Sequence, residues 1–206
     1  MSEAKLRDDI CAIGASIFAR GLTAGSSGNI SVRTDEGWLM TPTGSSLGRL
    51  DPARLSKLGP DGRLGSGDPP TKEGFLHRVM YAERPKTGAV VHLHSTHSVA
   101  VSCLAEINPE DVLPPITAYY VMRVGRLPLV PYFRPGDLAL AEAVRGFAGE
   151  HHAVLLANHG PVVAGSDLDA AVNAIEELEE TAKLYLLLRG AEARYLTPAE
   201  AKELMQ

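Results

Sequence analysis

The chain has 206 residues, 45% of them hydrophobic and 22% charged. That balance suits one folded domain over 1–206 and excludes long disorder, collagen-like repetition and coiled coil. A formal net charge of -5 argues against nucleic acid as a partner, so a phosphorylated ligand must be gripped by local cations and backbone N–H groups. No apolar run approaches the ~20 residues of a membrane span and the N-terminus carries no signal-peptide core, which predicts a cytoplasmic protein without a membrane partner.

In chain order, Ile10, Ile13, Ile17 and Phe18 recur at helical spacing, and Gly21 closes that first amphipathic helix. A Gly/Ser-rich loop follows, Gly25-Ser26-Ser27-Gly28-Asn29. Ile30–Arg33 and Trp38–Met40 form a predicted hairpin turned at Asp35-Glu36-Gly37, and Pro60-Asp61-Gly62 marks a second hairpin tip. A helix is expected from Thr71 to about Ala82, a strand over Ala89–Ser95 and a short helix over Ser98–Leu104. Further on come a strand at Pro128–Tyr132, a helix at Asp137–Phe147, strands at Ala153–Ala157 and Pro161–Ala164, and a long helix from Asp167 to Arg189. Helices and strands alternate, yet tight turns join several strand pairs and demand antiparallel pairing. The expected fold class is therefore α/β, a three-layer sandwich with a mostly antiparallel central sheet. The Gly-rich loop does not match a dinucleotide fingerprint, because no strand feeds it and a strand follows it. Cys11 and Cys103 fall in apolar helical patterns with no Cys-x-x-Cys spacing and are expected as buried reduced thiols.

His92-Leu93-His94 carries the strongest chemical signal. On a strand, residues i and i+2 share a face, so two imidazoles project together as a divalent metal of zinc type requires. A structural pair is an equal reading until His159 is added. It lies in Asn158-His159-Gly160, also just past an apolar strand. Glu73, after Pro69-Pro70-Thr71-Lys72, is the fourth candidate ligand, although alone it is explained as a charge at a helix N-terminus. His77 and His97 are expected at a helix surface or core edge, and His151-His152 in a solvated turn. Gly28-Asn29 and Thr41-Pro42-Thr43-Gly44-Ser45-Ser46 look like loops able to receive an oxyanion, with Thr71-Lys72 a third donor set. Each is, singly, an ordinary turn.

Five motifs in this order, Gly28-Asn29-Ile30-Ser31, Thr41-Pro42-Thr43-Gly44, Glu73, His92-Leu93-His94 and Asn158-His159-Gly160, resemble the class II aldolase/adducin family over nearly the whole chain. The resemblance implies a metal ion, Zn2+ or alternatively Mn2+, held by Glu73, His92, His94 and His159, with Glu73 either a ligand or displaced as general base. It implies substrate phosphate on Gly28, Asn29, Thr43 and Gly44, with Thr71 and Lys72 beside them. It also implies a proton-donating tyrosine from an adjacent subunit of a four-fold homotetramer, matched here by Tyr119 with Tyr120 as the register alternative. Val121, Val124 and Leu127 nearby suit either that interface or the same subunit's core. Thr71-Lys72 departs from the paired serines of sugar-phosphate aldolases. With His92-Leu93-His94-Ser95-Thr96-His97 it resembles the members that decarboxylate 3-oxo-tetronate 4-phosphates to dihydroxyacetone phosphate and carbon dioxide. A lysine there would offset the additional charge of an acid substrate. A sugar-phosphate aldolase and a pentulose-phosphate 4-epimerase are the alternatives. A binding module that has lost its ligands is opposed by the complete His/His/His/Glu set.

Overall fold

The computed structural model describes residues 2–134 and 136–205. Helix α1 spans Glu3–Ala19; Ser2 caps it, its side chain accepting from the Lys5 N–H, and Gly21 beyond its end has φ +74°. Strands β1 (Asn29–Thr34) and β2 (Gly37–Met40) form the first hairpin, and β3 (Ser56–Leu58) with β4 (Leu64–Ser66) the second. Helix α2 (Gly74–Glu83) leads to β5 (Ala89–His92), α3 (Thr96–Ser102), α4 (Ala118–Arg123) and β6 (Leu129–Val130). Helix α5 (Ala139–Ala148), the β7–β8 hairpin (Ala153–Leu156, Gly160–Gly165), α6 (Leu168–Leu188) and α7 (Pro198–Leu204) complete the order.

The eight strands form one sheet in the order β4-β3-β2-β1-β5-β8-β7-β6, antiparallel at every junction except β6–β7. The period-2 rule divides its side chains between two cores. Ile30, Val32, Val91, Leu155 and Val163 face one side, with Ile10, Ile17 and Ile175 of α1 and α6. Val90, Val154, Leu156 and Val162 face the other, with Leu76, Met80, Leu140 and Val144 of α2 and α5. The three-layer, mostly antiparallel sandwich expected above is what the chain forms. Asn29, Ser31 and His92 alternate with the first set, so they lie on the α2 face. That alternation positions the site.

Several local expectations are corrected. The strand at 89–95 ends at His92, because Leu93 leaves the β1 ladder and its N–H reaches Pro161 O at 3.3 Å. The short helix begins earlier, at Thr96, and 118–123 and 198–204 are helical where no helix was foreseen. Thr117 and Thr197 cap those two helices, the latter with a full capping box to Glu200. Cys11 is half-buried and Cys103, at the end of α3, is exposed, so neither is the buried thiol expected. Val121, Val124 and Leu127 are packed in this chain's own core, which removes them from any interface. Among the described residues no helix is long and apolar enough to cross a membrane.

Candidate metal centre

Four side chains converge at one end of the sheet, each delivered by a different piece of backbone. His92 is the last residue of β5, opposite Asn29 on β1 and Val162 on β8. His94 follows two residues on, past the ladder but still on the same side. His159 closes the β7–β8 turn, where Asn158 has φ +56°, the one non-glycine residue in the left-handed region among those described. Asn is among the few side chains that tolerate this conformation. Gly160 (φ +148°) then passes so close to β5 that a Cβ there would lie 2.3 Å from the Leu93 carbonyl oxygen. The turn is thereby pressed onto the His92–His94 segment. Glu73 stands just before α2, and Thr71 pins it by accepting the Glu73 N–H at 3.3 Å.

The donor atoms lie at ligand spacing. His92 Nε2 and His94 Nε2 are 3.2 Å apart, and His94 Nε2 and His159 Nε2 3.1 Å. Glu73 Oε2 is 3.5 Å from His92 Nε2, and Glu73 Oε1 is 3.2 Å from His159 Nε2. Four ligands around a tetrahedral ion with bonds of about 2.0–2.1 Å would stand roughly 3.3–3.4 Å apart. All four donor atoms fall within 4.8 Å of one another. His92 is fully buried, and its Nδ1 donates to Pro161 O at 2.7 Å. That bond places the proton on Nδ1 and leaves the Nε2 lone pair aimed into the cluster, the usual outer support of a metal-bound histidine. The residues fit a divalent ion of imidazole–carboxylate preference.

The electrostatics agree. Burial, and to a lesser degree the neighbouring imidazoles, pushes His92 down to about 3, so it is neutral and available as a ligand. Burial lowers His94 as well. Burial raises Glu73, but the His159 imidazole beside its Oε1 and the Asn29 amide donating to its Oε2 outweigh it, so its carboxyl stays well below the usual carboxylate range.

Three loops flank this cluster. Thr41 joins the first to the others: its N–H donates to Ile30 O and its hydroxyl accepts the Ile30 N–H, while its carbonyl accepts the Thr71 N–H at 3.1 Å. Gly28-Asn29, Thr43-Gly44 and Thr71-Lys72 are thus neighbours, although they come from distant stretches of sequence. Gly28 has φ +81°, and a Cβ there would meet Leu93, Thr23 and the His92 carbonyl at 3.1–3.2 Å. The Thr43 N–H donates to Pro69 O at 2.9 Å. Thr43 and Thr71 therefore offer hydroxyls, their N–H groups being engaged. Lys72 is exposed. The Asn29 side chain is turned inward, its Nδ2 donating to Glu73 Oε2 at 2.9 Å.

Tyr119 is 59% exposed, with the Arg123 guanidinium 5.1 Å from its ring centroid. Tyr120 is buried, and its hydroxyl has no hydrogen-bond partner among the described residues. His77 corrects the expectation of a surface or core-edge residue: it is fully buried and bonded to Asn29 Oδ1 and Ser31 Oγ. The readable signal was the four-residue spacing Glu73, His77, Tyr81 opposite Asn29-x-Ser31. His151 and His152 are half-buried, not solvated, and bond the carbonyls of Arg126 and Arg123. His97 pairs with Glu179 on α6 and takes no part in the cluster.

The family profile for the Class II Aldolase and Adducin N-terminal domain matches residues 8–186. A 3-oxo-tetronate 4-phosphate decarboxylase of Cupriavidus necator is 51% identical over 200 residues, covering 96% of this chain and 92% of that protein. An L-fuculose phosphate aldolase of Methanocaldococcus jannaschii is 36% identical over 172 residues, 83% of this chain and 90% of that one. The crystal structure of Escherichia coli YgbL, described as a candidate aldolase, epimerase or decarboxylase, superimposes with a TM-score of 0.96 at 49% identity, covering 99% of both chains.

Proposed function

The chain belongs to the class II aldolase and adducin family, and from that premise we propose that it is a carbon–carbon lyase, a decarboxylase of a 3-oxo-tetronate 4-phosphate. The products are dihydroxyacetone phosphate and carbon dioxide. The observation that carries this is the meeting of Glu73, His92, His94 and His159 with neighbouring donor atoms 3.1–3.5 Å apart in a chain about half identical to a named decarboxylase.

These four residues would hold zinc, with manganese the alternative. When bound there, the ion supplies a Lewis acid for the negative charge that carbon–carbon cleavage leaves on the substrate. Glu73 is the one carboxylate among the four, either a ligand or, displaced from the ion, the general base that would take and return a proton at its Oε atoms. Gly28, Thr43, Gly44, Thr71 and Lys72 form the phosphate and carboxylate pocket. The Lys72 ammonium offsets the additional charge of an acid substrate. Asn29 belongs to that pocket as well: its Nδ2 gives one N–H to Glu73 and keeps a second, while its Oδ1 accepts from His77.

Tyr119 donates the proton that completes the product. Its exposure supports this role over Tyr120, whose burial raises the phenol far above its ordinary range. In a homotetramer Tyr119 would reach the metal centre of a neighbouring subunit. Residues 1–206 act as one domain, a reading supported by the continuous eight-stranded sheet. We assign the enzyme to the cytoplasm, because a phosphorylated acid does not cross a bilayer unaided.

The test is to incubate zinc-loaded protein with enzymatically prepared 3-oxo-tetronate 4-phosphate and to measure carbon dioxide and dihydroxyacetone phosphate together. Equal amounts of both are expected. Absence of carbon dioxide alongside brisk cleavage of a ketose 1-phosphate would replace the decarboxylase with an aldolase.

A further inference from the structure

Strand β1 and helix α2 meet along a polar seam inside an otherwise apolar layer. On the strand, Asn29 and Ser31 are two residues apart and share a face; on the helix, Glu73, His77 and Tyr81 are spaced by four and form one stripe. The two periods match: four helical residues rise about 6 Å and two strand residues about 6.6 Å. The side chains interleave as Glu73, Asn29, His77, Ser31, Tyr81. Consecutive contacts are 2.9 Å (Glu73 Oε2 to Asn29 Nδ2), 2.5 Å (Asn29 Oδ1 to His77 Nε2), 2.7 Å (His77 Nδ1 to Ser31 Oγ) and 2.9 Å (Ser31 Oγ to Tyr81 OH). Arg33, next on the same strand face, closes the far end with its Nη2 on Tyr81 O at 3.2 Å and its guanidinium 4.9 Å from the Tyr81 ring centroid.

Donor arithmetic gives the seam one direction. A carboxylate only accepts, so Asn29 must turn its amide NH2 to Glu73 and its carbonyl oxygen to His77. His77 Nε2 therefore carries the proton and donates. Burial lowers His77 to about 4, so the ring is neutral and its Nδ1 must accept. Ser31 supplies that proton, and its oxygen in turn accepts from the Tyr81 hydroxyl. Ser31, His77 and Tyr81 are all buried. Every hydrogen in the chain points towards Glu73.

The geometry points to His77, Ser31 and Tyr81 as positioning residues of the metal centre: a one-way hydrogen-bond relay that fixes the Asn29 amide and, through it, the orientation of the Glu73 carboxylate. A carboxylate that both ligates and transfers a proton needs one defined angular setting, and ordinary apolar packing around Asn29 would leave its amide free to flip. The relay also joins α2, which brings Glu73, to β1, which lies beside His92, so the ligands from helix and sheet share one register. This role rests on Glu73 belonging to the proposed metal centre.

Zinc affinity, read by competition with a chromophoric chelator, tests the relay independently of the reaction. His77→Leu is expected to weaken zinc binding and to lower kcat, each 10–100-fold as is usual when the support of a ligand is removed, with KM near its wild-type value. His77→Gln, whose amide can donate to Asn29 and accept from Ser31, should recover most of both losses. A folded His77→Leu protein with wild-type zinc affinity overturns the relay, and so does a His77→Gln variant as impaired as His77→Leu, because packing alone would then explain the site. Should His77→Leu not fold, Ser31→Ala and Tyr81→Phe carry the test. Ser31→Ala should weaken zinc binding several-fold and Tyr81→Phe less; unchanged affinity in both overturns the relay. Wild-type protein that binds no zinc would refute the metal centre, and this role with it. Tight wild-type binding with unaffected variants would refute the relay alone.

Discussion

Among the described residues two glutamates face histidines, and they are opposites. Glu179 on α6 is closed: it accepts the N–H groups of His97 and Ser98, the His97 Nδ1–H and the Ser98 hydroxyl at 2.7–2.9 Å. Four donors use its lone-pair directions, and the group ties α6 to the start of α3. Glu73 is open. The protein gives it the Asn29 amide and the edges of His92 and His159, and three imidazole Nε2 atoms converge beside it. The difference separates structure from chemistry better than burial or residue type does. A carboxylate whose acceptor sites the protein fills is a fastener, whereas one left among converging ligand atoms has capacity for an ion or a substrate.

The largest effect expected from this contrast is at the open pole. His92→Ala or His94→Ala should abolish nearly all activity and most bound zinc while circular dichroism stays close to wild type, with melting lowered more in His92→Ala, which loses a fully buried, hydrogen-bonded ring; full zinc occupancy by elemental analysis in both variants would refute the ligand assignment. Tyr119→Phe comes next, with kcat lowered ~10²–10⁴-fold and zinc content unchanged. Hybrid tetramers of that variant with Glu73→Gln, verified by native mass spectrometry, should regain activity. No recovery would return Tyr119 to its own subunit or remove it from the reaction.

Lys72→Ser should lower kcat/KM for the acid phosphate by about 10-fold or more, the worth of one charge-assisted hydrogen bond, and spare any residual cleavage of sugar phosphates. Equal losses on both substrates would remove the reason for preferring an acid substrate.

At the closed pole the effect is on stability. Glu179→Ala leaves the buried Ser98 N–H and the half-buried His97 N–H of α3 unpaired, costing roughly 1–3 kcal/mol and lowering Tm by several degrees, with zinc binding retained. Loss of zinc without loss of stability would invert the contrast.

Acid should tell two buried groups apart. His77 is neutral in the fold, lowered from 6.5 to about 4, so the unfolded chain binds a proton first. Stability is therefore lost as pH falls from about 6.5 towards 4, by at most about 3 kcal/mol at ~1.4 kcal/mol per unit. Glu179 contributes differently. Burial raises its carboxyl, but the Ser98 and His97 hydrogen bonds bring it below its ordinary 4.5, so its stabilisation fades only below about pH 4.5. Urea titrations should show His77→Gln making the upper window shallower by one proton's slope, with His92 and His94 still titrating there, and Glu179→Gln changing only the lower. A His77→Gln curve parallel to wild type between pH 6.5 and 4.5 would contradict the buried neutral ring.

Much of this was legible in the chain itself, because local chemistry alone sets it. Near-continuous apolar runs in 89–91, 153–156 and 161–164 dictate strands buried on both faces; Asp35-Glu36-Gly37 and Pro60-Asp61-Gly62 dictate hairpins; His92-Leu93-His94, two residues apart at the end of such a run, puts two imidazoles on one side. The tertiary structure decided what depends on residues far apart. His77 reads as a helix histidine until β1 is laid against α2 and Asn29 and Ser31 take both its nitrogens. Tyr119 and Tyr120 cannot be ranked until the turn of α4 buries one and exposes the other. Glu179 has no histidine near it in sequence, and the one near Glu73, His77, is not among the imidazoles that meet it in the cluster. A carboxylate's role depends on how many donors reach it, and those donors arrive from other elements, so only the folded chain distinguishes the fastener from the ligand.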